Sequence, residues 1–171
     1  MENKYEEIDI GALDWNPCKS IGKDWALVTA GDEKAANTMT IRWGTVGAVW
    51  RRNVAIIFVR ENRYTKKFVD GSDYFSISFF DDPPKKALVY LGTHSGRDSD
   101  KITEAGMSLA YRDGVPFIAE GDMTLICKKM SATPIPKEDF IADWIDDLIY
   151  KDHIYHTMYI GEITTALRQI K

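Results

Sequence analysis

The sequence predicts an α+β fold that is mainly antiparallel β with intervening helices, and three observations carry that prediction. Short apolar runs bounded by turn residues recur along the chain, as in a barrel or sandwich. Helical patterns interrupt them too irregularly for the alternating order of a doubly wound parallel sheet, and GxGxxG and GxxxxGK[ST] are both missing, which disfavours a Rossmann cofactor site. The 171 residues suit a single domain spanning 1–171, with 44% hydrophobic and 12% aromatic content to build a core without disulfides or metal.

In chain order, apolar runs predict strands over 26–30, 38–43 and 54–59, the last ending at Arg60. Residues 46–53, with Trp50, Arg51 and Arg52, read as a loop between the second and third of these. Asn62 is placed as the cap of a helix that stops at Gly71. A strand over 74–80 follows, then a helix opening on Pro83 and Pro84 and closing at Gly92. Ser99 reads as the cap of a short helix ended by Gly106. Strands are predicted over 107–111 and, at greater length, 123–133; Asp113-Gly114 and Gly121-Asp122 are turn dipeptides, so 108–135 folds back on itself. Phe140, Trp144 and Leu148 fall at i, i+4 and i+8 in KEDFIADWIDDLI, an apolar stripe bounded by acids that predicts a helix over 137–149. A last strand covers 155–163.

The formal charge of −4 argues against a nonspecific nucleic-acid binder, because affinity for phosphate backbones comes from a surplus of Lys and Arg. Any anion site is therefore local. The N-terminus has no apolar signal region and no run approaches the ~18 apolar residues that cross a bilayer, so a cytoplasmic protein with no membrane partner is expected. Cys18 and Cys127 are far apart and form no CxxC; both are expected reduced and packed.

Local basic charge concentrates in RENRYTKK, where Arg60, Arg63, Tyr64, Thr65, Lys66 and Lys67 gather at a strand end and a helix start. Free N–H groups of a first helical turn, cations and a hydroxyl suit a phosphate dianion, and a bound anion would offset the unfavourable placement of Lys and Arg there. A solvated basic face on a surface helix explains the same residues. In the strand that follows KAA, Asn37, Thr38 and Thr40 supply hydrogen-bonding groups that suit a bound cofactor, while Met39 alternates to the opposite side and suits the core. Turn chemistry explains Asn37 as well, and β-propensity the threonines. Trp43 either flanks a flat ligand or packs inside. His153 and His156 form H-x-x-H, but on a strand they point to opposite faces, so no metal site is expected. His94 reads as a loop residue beside Ser95-Gly96, and the acids of 138–147 as the wet side of a helix, or as a lid or dimer contact.

WALVTAGDEKAANTMTIRWG, NVAIIFVRENRYTKKF, YFSISFF, SGRDSDKI and HTMYIGEI, in this order over roughly residues 20 to 165, resemble the flavin reductase-like proteins, including flavoredoxins. That resemblance implies an FMN-binding split β-barrel of Greek-key antiparallel strands, a homodimer, and a flavin held noncovalently near the subunit interface, FMN rather than FAD. It implies that Asn37, Thr38, Met39 and Thr40 run along the ring and ribityl chain, that Arg60, Arg63 and Thr65 bind the phosphate, that Ser95, Gly96, Arg97 and Lys101 lie near the cofactor, and that His156 stands near the ring. Asn62, Tyr64 and Lys66 join the phosphate end through the basic cluster. The implied activity is an oxidoreductase in which NAD(P)H reduces bound FMN, and electrons pass to free flavin, a metal complex or a redox protein. The alternatives are a flavoredoxin-like carrier that never meets a nicotinamide, and a flavin-binding module without turnover.

Overall fold

The structure, a computed structural model, describes residues 4–170. Among these the chain forms β1 (Tyr5–Glu7), β2 (Ala26–Gly31), β3 (Ala36–Ile41), β4 (Gly44–Val49), β5 (Arg52–Arg60), α1 (Tyr64–Gly71), β6 (Tyr74–Phe79), α2 (Lys85–Thr93), α3 (Lys101–Glu104), β7 (Leu109–Arg112), β8 (Val115–Ile118), β9 (Met123–Pro134), α4 (Trp144–Ile149) and β10 (His156–Gln169). The main sheet is antiparallel throughout, in the order β3-β2-β6-β9-β10-β5-β4, with β1 also on β10. β7 and β8 form a separate hairpin.

Two devices curl this sheet into the split barrel. The long β9–β10 pair slips register between Ile160 and Gly161 and again between Ile163 and Thr165, and such irregularities bend and twist a strand. At the first slip Gly161 packs so closely that a Cβ would lie 2.7 Å from the Phe75 ring and 2.9 Å from Cys127. β3 and β5 then approach each other without pairing, and α1 packs across β2, β3 and β5 at that split. Inward residues repeat every second position, as a two-faced strand requires: Val28 and Ala30, Met39 and Ile41, Ala55, Ile57 and Val59, Phe75 and Ile77 share the central core. The opposite face of β2 contributes Leu27 to a second cluster with Leu88, Leu91 and Ile102 beneath α2 and α3.

Several expectations are corrected. Residues 46–53 are no loop but a hairpin of β4 and β5, its tip formed by Trp50 and Arg51, both with positive φ. Asn62 does not cap α1: Arg63 N–H closes a tight turn onto the Arg60 carbonyl, so the extended cap position falls on Arg63, which makes no side-chain cap bond. Asp100, not Ser99, caps α3, accepting from Thr103 N–H. The helix expected over 137–149 is broken into a short turn at Lys137–Asp139 and α4. A straight helix would hold residues 137 and 146 ~13.5 Å apart along its axis. Here Lys137 pairs with Asp146 at 2.7 Å and Phe140 stacks on Tyr150, contacts that need the chain to fold back. β10 begins at His156 and leaves His153 in the preceding loop; β1, β4 and β8 add strands. Cys127 is buried, which raises its thiol pKa, whereas Cys18 is exposed rather than packed.

Candidate functional site

Two adjoining cavities lie where β3, β5 and β10 meet α1, α2 and α4. The larger, about 460 Å³, is walled by the run from Met39 to Trp43, by Phe58 and Arg60 of β5, by His156 of β10, and by Leu148 and Ile149 of α4. The smaller, about 130 Å³, lies at the start of α1 and is bounded by Arg63, Tyr64 and Thr65, the end of α2, and Ser95, Arg97 and Lys101. Met39 and Arg63 line both, so the two form one elongated space with a wide aromatic end and a narrow cationic end.

Lys101 gives the narrow end its character. Its side chain is buried, with 3% of the residue exposed, and Nζ donates to the carbonyls of Leu91 (2.9 Å) and His94 (3.1 Å). No carboxylate pairs with it among the described residues. Burial, with the charge of Arg63 beside it, pushes its pKa down to about 8. A buried cation without a counter-ion is costly, and an anion bound in the adjoining cavity would supply the missing charge. Arg63 reaches the same place while donating to the Gly92 carbonyl at 3.0 Å, and Arg97 rests over the Tyr64 ring.

At the wide end His156 pairs across β10 and β5 with Arg60, packs 4.8 Å from the Trp43 ring and shares a 2.9 Å hydrogen bond between Nδ1 and the Tyr150 hydroxyl. Burial first, then the charges of Arg60 and Arg63, lower its pKa to about 4. The imidazole is therefore neutral near pH 7, and it is a hydrogen-bonding group rather than a source of protons as imidazolium. Trp43, expected either against a ligand or inside, is not core: it is 44% exposed at the cavity rim.

The predicted residues divide into those that line the space and those that hold it open. Arg63, Tyr64, Thr65, Asn62, Ser95, Arg97 and Lys101 come together at the narrow end, and Thr40, Trp43 and His156 at the wide one. Arg60 stands apart from the narrow end: its guanidinium pairs with Asp152 at 2.7 Å, donates to the Ile154 carbonyl and faces the wide cavity. Lys66 is turned to Asp70 at 2.8 Å. Thr38 is fully buried, donating to the Val28 carbonyl and accepting from Thr29. Thr40 donates to the Leu88 carbonyl at 2.5 Å. Asn37 Nδ2 donates to Thr65 Oγ1 at 2.9 Å, and Thr65 Oγ1 lies 3.3 Å from the Thr38 carbonyl as its donor. Gly96 closes over Asn37, where a Cβ would meet Oδ1 at 2.3 Å. Thus the hydroxyls of Thr38 and Thr40, expected to serve a ligand, donate within the protein, to a carbonyl of β2 and one of α2, while Thr40 still lines the wide cavity. Met39 belongs to the central core yet borders both cavities. Sequence reasoning missed Arg42, Phe58, Leu148, Ile149 and Tyr150; the two aliphatic residues of α4 carried a signal, being apolar next to acids.

An antiparallel split barrel with a cationic recess opening into an aromatic cleft defines a class of protein shaped for a flat ligand with an anionic tail. The sequence profile of the flavin reductase like domain matches residues 19–169, and the chain belongs to the flavin reductase-like family. An FMN-binding domain of a flavin reductases-like enzyme from Shewanella baltica OS155 superposes with a TM-score of 0.67 at 18% identity, over 99% of this chain and 79% of that one. Flavoredoxin of Desulfovibrio vulgaris (Miyazaki F) gives 0.65 at 19%, over 97% and 78%. The NADH:FAD oxidoreductase SgcE6 of Streptomyces globisporus C-1027 gives 0.61 at 18%, over 84% and 74%. These likenesses show the fold. No curated protein is matched by sequence. Among the described residues no helix is long and apolar enough to cross a membrane.

Proposed function

We propose that this chain is an FMN-dependent oxidoreductase that uses NAD(P)H as donor and delivers electrons to free flavin, a metal complex or a redox protein. The observation that carries the reading is Lys101, a buried cation that pairs with no carboxylate among the described residues, facing a recess that Arg63 and Arg97 also line. These three residues fit the phosphate of FMN, with the donor fork of Arg and the point charge of Lys matched to its oxygens. Trp43, Phe58 and the backbone from Met39 to Ile41 offer a flat slot for the ring at the wide end. When bound, the flavin supplies the redox chemistry, accepting a hydride at N5. The chain's part is positioning: His156, neutral and fixed by Tyr150, offers a hydrogen bond to the nicotinamide or the ring, and the cleft between Trp43 and Ile149 admits the second ligand. A homodimer that completes the flavin site belongs to this reading.

An absorption spectrum tests the cofactor directly, since bound oxidised flavin absorbs near ~370 and ~450 nm. Anaerobic mixing with NADH or NADPH should then bleach the longer-wavelength band. A protein that neither purifies yellow nor quenches added FMN fluorescence would overturn the assignment. A second reading, electron relay between proteins without direct reduction by nicotinamide, is favoured by the exposed Leu148 at the cleft and by the exposed Ile141 and Trp144. In that case FMN binds and neither coenzyme bleaches it.

A further inference from the structure

We propose that an open bay next to the phosphate recess is a subsite for a further phosphate group on a nucleotide, so that the site distinguishes FAD from FMN or NADPH from NADH. The inference rests on the reading of the recess as the first phosphate site. The bay, about 640 Å³, is flanked by Arg63, Lys66, Lys67 and Arg97 with Glu61 and Asp70. Arg63 and Arg97 border the recess and the bay alike, so a chain of phosphates leaving the first passes into the second.

Charge favours this exit. Four cations stand against two carboxylates here, on a chain whose formal charge is −4. Both carboxylates are directed at one lysine, with Lys66 Nζ 2.8 Å from Asp70 and 3.5 Å from Glu61. Arg63, Lys67 and Arg97 have no carboxylate partner among the described residues. Lys67 and Arg97 rest against the same Tyr64 ring, at 6.0 and 5.0 Å, and Phe68 holds that ring edge-on at 5.3 Å. The other opening beside Arg97 and Lys101 carries Asp98 and Asp100, which would repel a second phosphate. Two ligands of the proposed reaction carry the required group: the diphosphate of FAD and the 2′-phosphate of NADPH.

The test uses the purified protein and its Lys67→Glu and Lys67→Gln variants, titrated with riboflavin, FMN and FAD by flavin fluorescence and assayed with NADH and NADPH. Lys67 is exposed, and circular dichroism verifies the fold. If the diphosphate of FAD enters the bay, charge reversal weakens FAD at least fivefold and leaves FMN within twofold, with the glutamine variant between. If the 2′-phosphate of NADPH enters, KM for NADPH rises at least fivefold while KM for NADH holds. Equal effects on every ligand, or none, assign the bay to solvent or to a protein contact and overturn the proposal. Failure of FMN to bind better than riboflavin in the unsubstituted protein would instead remove the first phosphate site, a separate outcome.

Discussion

Replacing Lys101 by Met removes the buried charge while keeping a long, flexible side chain in its place. In the folded protein the ammonium is held at a pKa of about 8 against an ordinary 10.5, by burial and then by Arg63. At ~1.4 kcal/mol per tenfold the difference is about 3 kcal/mol, reduced to about 2 kcal/mol by water in the adjoining recess. The sign follows from the direction. The unfolded chain holds this proton more tightly, so the penalty on the fold is complete below pH 8 and disappears as pH rises from 8 to 10.5. Flavin-free protein should therefore gain stability over that interval through this group. A phosphate, already a dianion above its second pKa of ~6, favours the charged lysine and reverses the preference. FMN affinity should then be highest near pH 7 and fall by up to tenfold per pH unit above 8, the limit for one linked proton. A hydrogen bond between charged groups contributes ~1.5–3 kcal/mol, so the Met variant should bind FMN roughly 10- to 100-fold more weakly at pH 7 and show little of the pH dependence. Riboflavin, without the phosphate, should be affected less than twofold by either change. Fluorescence titrations of both flavins between pH 6.5 and 9.5 measure this. Parallel loss of FMN and riboflavin would show a distorted fold, and an unchanged FMN curve would remove Lys101 from the site.

Three further perturbations probe the support of the site. With a pKa near 4, His156 should stay neutral in the folded state, and since its ordinary value is 6.5 its contribution to stability is complete above pH 6.5 and declines as pH falls toward 4. The Tyr150 phenol should fix the Nε2–H tautomer by donating to Nδ1, so nitrogen NMR should report that single form, and Tyr150→Phe should give a mixture; an Nδ1–H form in the unsubstituted protein refutes the assignment. Gly96→Ala would put a Cβ 2.3 Å from Asn37 Oδ1, and the forced shift should cost ~1–3 kcal/mol, lowering Tm by several degrees in a thermal melt; an unchanged Tm would mean the loop yields freely.

The strands were legible wherever a short apolar run stands between turn residues, as in β2, β5 and β6, because such runs are a property of the local sequence. β4 was hidden by its small residues Gly44, Thr45, Gly47 and Ala48, and its turn by Trp50 and Arg51, which adopt left-handed backbone without the Gly or Asn that usually signals it. The break before α4 was illegible for another reason. The acids of 138–147 satisfy a helical pattern, but the pairing of Lys137 with Asp146 and the stacking of Phe140 on Tyr150 are tertiary and leave no periodic trace. Lys101 entered only through resemblance, since nothing local tells a buried lysine from one in water.

The strand signature at 37–40 shows where pattern and function part. Alternation separates Thr38 and Thr40 from Met39 correctly, yet it says which residues share a face and not what covers that face. Here β2 and α2 cover it, and the two hydroxyls bond to the carbonyls of Val28 and Leu88. Asn37, Thr65 and the Thr38 carbonyl form a buried chain of hydrogen bonds that ties β3 to the first turn of α1. Arg63 is the residue immediately before that turn, and it lines both cavities. The polar groups of this strand therefore act through the placement of Arg63: loosening Asn37 or Thr65 moves the cation that joins the narrow end of the site to the wide one.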